Sequence, residues 1–106
     1  MSMTLEQHLL GKLAEEASEV AKIALKAQQF GLHEVREGQS LSNAERIYEE
    51  LNDLEASVRM LCDNTAFWFE PDEPSIRDKN DRVYKYLRLS VELGQVESSS
   101  LDHFQG

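Results

Sequence analysis

Four carboxylates stand out in this chain because they fall into two pairs of one spacing, Glu16 with Glu19 and Glu50 with Asp53. In a helix, residues three apart share a face, so each pair projects two acids side by side. If the two helices pack together, the four acids meet. Like charges held close in a partly dehydrated site repel one another, and the repulsion is relieved by proton uptake or by a cation. Ligation by oxygen alone favours a hard divalent ion, Mg²⁺ or Mn²⁺, and Mg²⁺ characteristically keeps open positions for water and substrate phosphate. Spacing alone admits a second reading, because glutamate is a good helix former and E-x-x-E or E-x-x-D pairs also decorate solvated faces.

The elements that would position these acids are helical. Leu9, Leu10, Leu13, Ala17, Val20, Ala24 and Ala27 recur at three- and four-residue intervals, which predicts a helix over residues 3–30 closed by Gly31. Glu16 and Glu19 border that stripe, with Ile23 between their directions. A loop of two glycines and several charges follows to Leu41, and Ser42 or Asn43 offers the next N-cap. Ile47, Leu51, Leu54, Val58 and Leu61 then form the stripe of a second helix ending near Asp63 or Asn64, with Glu50 and Asp53 on its flank.

Phe67-Trp68-Phe69 followed by Pro71 and Pro74 reads as a connector, because proline interrupts a helix and the aromatics favour packing onto a core. Ser75 is the expected cap of a third helix, with Ile76, Val83, Leu87 and Ser90 on one face and Gly94 at its end. The Ser-rich stretch from Gln95 to Gly106 carries too little apolar surface to offset its ordering entropy, so residues 1–94 are expected to form the domain and 95–106 a tail. The expected fold is therefore all-α, a bundle of three to four helices. So small a bundle buries little alone, and a homodimer or homotetramer would complete it.

Composition narrows the function classes. Eleven Lys plus Arg against 20 Asp plus Glu give a formal charge of −9, which repels nucleic-acid polymers and anionic lipid surfaces. No segment approaches the roughly 18 to 20 consecutive apolar residues of a membrane-spanning helix, and no basic-then-apolar leader pattern opens the chain. Cys62 is the single cysteine, which excludes an internal disulfide and fits a cytoplasmic location. Its apolar neighbours mark it as a packing residue rather than a nucleophile. His8, His33 and His103 stand in no pattern suggestive of a ligand or base.

Leu13-Ala14-Glu15-Glu16-Ala17-Ser18-Glu19-Val20, followed by Tyr48-Glu49-Glu50-Leu51-Asn52-Asp53-Leu54, resembles the E-E-x-x-E … E-x-x-D signature of the MazG-like nucleoside triphosphate pyrophosphohydrolases. That family includes dimeric all-α dUTPases and small dCTP-preferring enzymes. The resemblance covers roughly residues 5–64, with a somewhat longer connection between the two motifs than is usual. It implies Mg²⁺-dependent hydrolysis of a nucleoside triphosphate to the monophosphate and pyrophosphate. It also implies Glu16, Glu19, Glu50 and Asp53 as metal ligands, with Glu15 in a supporting role.

A triphosphate needs positive charge beside the metal, and the densest source is the Arg77–Arg82 segment, where Lys79, Asn80 and Arg82 are the candidate phosphate contacts. Lys22 and Lys26 are weaker candidates. Trp68 is the favoured ring for stacking on the base, ahead of Phe67, Phe69, Tyr84 and Tyr86. Glu19 and Glu50 are both candidates for the general base. A different class of function fits the same pattern: a non-catalytic acidic helical module whose apolar stripes bind a partner helix, with no dependence on metal.

Overall fold

A computed structural model describes residues 2–99. Among the described residues the chain forms three helices and no strand: α1 (Leu5–Phe30), α2 (Asn43–Asn64) and α3 (Glu73–Glu92). They fall into two compact units, one ending at Phe69 and the other beginning at Glu70. Of the C-terminal tail expected from Gln95, residues 100–106, including His103, lie outside the described residues.

Each helix of the first unit opens on a reciprocal cap. The Gln7 amide donates to the Thr4 hydroxyl (3.1 Å) while the Thr4 amide donates to the Gln7 side chain (2.9 Å), so α1 starts two residues later than its apolar pattern implies. Ser42, not Asn43, caps α2, and Glu45 reaches back to the Ser42 amide at 3.0 Å. The bonds from Ser42, its amide first, hold the Glu45 carboxyl below its ordinary pKa. At the other end of α1, Gly31 adopts φ 96° and ψ 156°, a conformation that side-chain-bearing residues avoid, while its amide closes the last turn on the Ala27 carbonyl.

The loop from Gly31 to Ser42 does more than connect. The first amides of any helix lack intrahelical partners, and here the loop supplies them: Asn43 N–H donates to the Glu34 carbonyl at 2.9 Å and Ala44 N–H to the Leu32 carbonyl at 2.8 Å. The fully buried Asn43 side chain adds bonds to the Gly31 carbonyl and the Glu34 carboxylate. Arg36 lies 3.9 Å over the Phe30 ring and 3.6 Å from Glu34, covering the same junction. The end of α1 is thereby bolted to the start of α2.

From that junction α1 and α2 pack antiparallel, with Gly31 beside Asn43 and Glu16 beside Glu50 and Asp53. The rows turned toward the partner helix are Leu9, Leu13, Glu16, Val20, Ile23 and Ala27 on α1 and Asn43, Ile47, Glu50, Leu54, Ser57 and Leu61 on α2, with Lys12, Glu19, Ala44, Arg46, Val58 and Cys62 partly buried on their margins. Both rows alternate steps of four and three, the 3.5-residue repeat of closely paired helices. Leu9, Ile23 and Leu61, each at most 4% exposed, are the buried apolar residues. The apolar stripe read from the sequence was wider than this seam. Leu10 and Leu51 are 47% and 49% exposed, and Ala17 and Ala24 also face outward, because two helices in contact bury a narrow row rather than the whole apolar arc.

The second unit contains α3. Asp72, not Ser75, is its N-cap: the Ser75 amide donates to the Asp72 carboxylate at 3.2 Å. The helix therefore begins at Glu73, with Pro74 inside its first turn, where the missing proline N–H costs nothing. Its C-terminus comes at Leu93, and Gly94 follows with φ 76°, as the sequence suggests. No helix among the described residues is long and apolar enough to cross a membrane.

Candidate metal centre

Glu16 and Glu50 occupy the third inward position of their rows, where the repeat calls for an apolar side chain. In an antiparallel pair the third inward position of one row faces the third from the end of the other, so Glu16 and Glu50 are offset by about one turn and meet diagonally. Asp53, three residues beyond Glu50, joins them from the exposed margin. One carboxylate oxygen from each of Glu16, Glu50 and Asp53 can be chosen so that all three lie within 4.8 Å of one another. Glu16 and Glu50 are half-buried and Asp53 is exposed, so the cluster sits at the edge of the helix seam with one side open.

Its electrostatics register at Glu50. Partial burial raises the pKa of that carboxyl above the ordinary glutamate value, and the negative charges of Asp53, Glu19 and Glu16 add to the shift in that order, with Arg46 opposing them. Glu19 thus acts on the cluster through its charge, although it is not one of the three acids whose oxygens converge. Glu15 points elsewhere and pairs with Lys12 at 3.0 Å.

Beside the acids is a cavity of about 170 Å³ lined by Lys12, Glu16, Asp53, Ala56, Ser57 and Met60. The sequence offers Lys12, with Lys22 and Arg46, as a partial neutraliser of the acids, but not as a phosphate contact. The signal was available, since Lys12 precedes Glu16 by one helical turn and so shares its face. The Ser57 hydroxyl is already committed, donating to the Leu54 carbonyl at 2.7 Å.

The remaining residues proposed from sequence are placed as follows. Trp68 lies after α2 in the first unit and is 73% exposed. Lys79, Asn80 and Arg82 are exposed residues of α3, and Arg82 approaches Asp78 at 3.6 Å. They belong to the second unit and not to the group of converging acids. Cys62 is a half-buried free thiol on α2.

An oxygen-only set of three carboxylates, two of them half-buried, has the donor chemistry that suits a hard divalent cation. Comparisons with protein-family models, with curated proteins and with solved structures find no match to this chain.

Proposed function

We propose that the chain is a Mg²⁺-dependent nucleoside triphosphate pyrophosphohydrolase, converting a ribo- or deoxyribonucleoside triphosphate to the monophosphate and pyrophosphate, with Mn²⁺ as a substitute ion. The observation that carries this reading is the convergence of Glu16, Glu50 and Asp53, two of them half-buried, at the margin of the α1–α2 seam. Acidic pairs on helix surfaces are common, but three carboxylates converging from two helices, two of them half-buried, repel one another unless something offsets their charge. The resemblance of the two acidic motifs to the MazG-like family supplies the reaction class.

In this reading Glu16, Glu50 and Asp53 hold the ion, and Glu19 completes the ligand set or accepts the proton of the attacking water. The ion's contribution is Lewis-acid polarisation of the phosphate oxygens and neutralisation of charge developing on them. Trp68, in the same unit as the acids, is assigned to stacking on the base. The active form is a homodimer or homotetramer.

The test is pyrophosphate release from a panel of common and modified nucleoside triphosphates, with Mg²⁺ and with Mn²⁺. Turnover of at least one, abolished by chelation and reduced by about two orders of magnitude or more in Glu50→Gln and Asp53→Asn, is the expected result. No turnover of any triphosphate would overturn the reading.

One set of observations favours a second reading. Leu10, Leu25, Tyr48 and Leu51 are exposed apolar residues on α1 and α2, as an interaction module would present them. That reading predicts metal-independent partner binding and no effect of Glu50→Gln upon it.

A further inference from the structure

A carboxylate cluster that binds one divalent ion still carries net negative charge, and a polyphosphate arriving with that ion carries more. A positive group is therefore needed close to the acids themselves. Among the residues that line the adjoining cavity, Lys12 is the one cation. We propose that Lys12 is the phosphate-contacting residue of this site, exchanging its Glu15 partner for an oxygen of the metal-bound polyphosphate. The inference rests on the proposed reading of the acids as a metal and polyphosphate site.

Three features carry the assignment. Lys12 shares the cavity with Glu16 and Asp53, two of the three converging acids, so a phosphate group held at the acids and extending into the cavity comes within reach of its ammonium. Its present partner holds it weakly. The Lys12–Glu15 contact, at 3.0 Å, joins two side chains that are 42% and 56% exposed, and solvent screens such a pair strongly. Transfer of Lys12 from Glu15 to a doubly charged phosphate oxygen group trades a screened single-charge pair for a stronger one. Third, the hydrogen bond to Glu15, the charge of Glu15 and that of Glu16 all favour the protonated amine, so Lys12 is a cation throughout the neutral range.

Arg46 is the competing cation. Its charge acts on Glu50, but it does not line the cavity, so its expected influence is on the carboxylates rather than on phosphate.

The decisive measurement is calorimetric binding of inorganic pyrophosphate in saturating Mg²⁺ at fixed ionic strength, using the full chain. Lys12→Gln is expected to weaken binding by about tenfold or more, and Lys12→Arg to restore most of it. Glu15→Gln, which releases Lys12 from its partner, is expected to bind at least as tightly as the wild type. Helicity measured by circular dichroism identifies any variant that has failed to fold, and the comparison between Lys12→Gln and Lys12→Arg then decides. Lys12→Gln binding within twofold of wild type, a larger loss in Arg46→Gln than in Lys12→Gln, or no binding by the wild type would each overturn the assignment. A chain that binds magnesium pyrophosphate through Lys12 yet hydrolyses no triphosphate would retain this inference and lose the proposed reaction.

Discussion

Glu50 concentrates the electrostatic cost of the site, because burial and three neighbouring acids all oppose its ionisation. The folded chain therefore holds the Glu50 proton more tightly than the unfolded chain does. This contribution to stability is complete below the ordinary glutamate range and is lost as pH rises through the raised value. Without divalent ions, the stability difference between wild type and Glu50→Gln is expected to shift against the wild type as pH rises through the region just above the ordinary glutamate pKa. Taking the difference cancels the opposite trend from Glu45, whose lowered pKa makes its own contribution fade on acidification. Thermal melts of both proteins in chelator across that range check the sign. With the ion present the order should reverse: Mg²⁺ at about a hundred times its dissociation constant would stabilise the wild type by about 2.7 kcal/mol. Glu50→Gln should show little of this gain, and equal Mg²⁺ shifts in the two proteins would remove Glu50 from the ligand set.

The scale of the element is governed by the α1–α2 hairpin. Its ends are fixed by local rules, with two capping boxes, a glycine stop and a loop that feeds the first amides of α2. Gly31→Ala would force a side chain into a backbone conformation reserved for glycine, although no neighbouring atom stands in its way. A loss of about 1 to 3 kcal/mol in chemical denaturation is expected from backbone strain alone. The seam between the helices is thin, so its few buried residues matter more. Leu61, 2% exposed, is expected to cost about 2 to 5 kcal/mol on replacement by alanine, enough to threaten a small unit. Leu51→Ala, one of the apolar residues of the wider arc, should cost far less in the isolated chain, and comparable losses at both positions would mean that the seam has been misplaced.

At the scale of the whole molecule, the balance of buried and exposed apolar surface is the guiding fact. Among the described residues three hydrophobic side chains are buried, while Leu10, Leu25, Tyr48, Leu51 and Met60 remain exposed on α1 and α2. A chain that leaves this much apolar surface in water gains by burying it against another copy. Sedimentation at micromolar concentration is expected to give a dimer or tetramer, and substituting Leu10 and Leu51 by polar residues should shift it toward monomer. A wild-type chain that sediments as a monomer with full activity would contradict this.

Helix type, the α1 and α2 spans to within two residues, and the four acids with their paired spacing were legible in the sequence, because apolar periodicity and capping chemistry act over a few residues at a time. Two local rules were misread there: Asp72 outcompetes Ser75 as the cap of α3, and Pro74 enters the first turn instead of the connector. What the sequence could not decide was depth. An apolar arc looks equally buried along its width until a neighbour selects a row, so Leu10 and Leu51 read as core, and Glu16 and Glu50 as flank. Only the antiparallel pairing of α1 with α2 brings those two glutamates together at the edge of the seam, draws Asp53 to them while leaving Glu19 outside the tight group, and sets Lys12 beside the cluster. Residue spacing fixes which side chains share a helix face, and the packing of two faces fixes which of them meet.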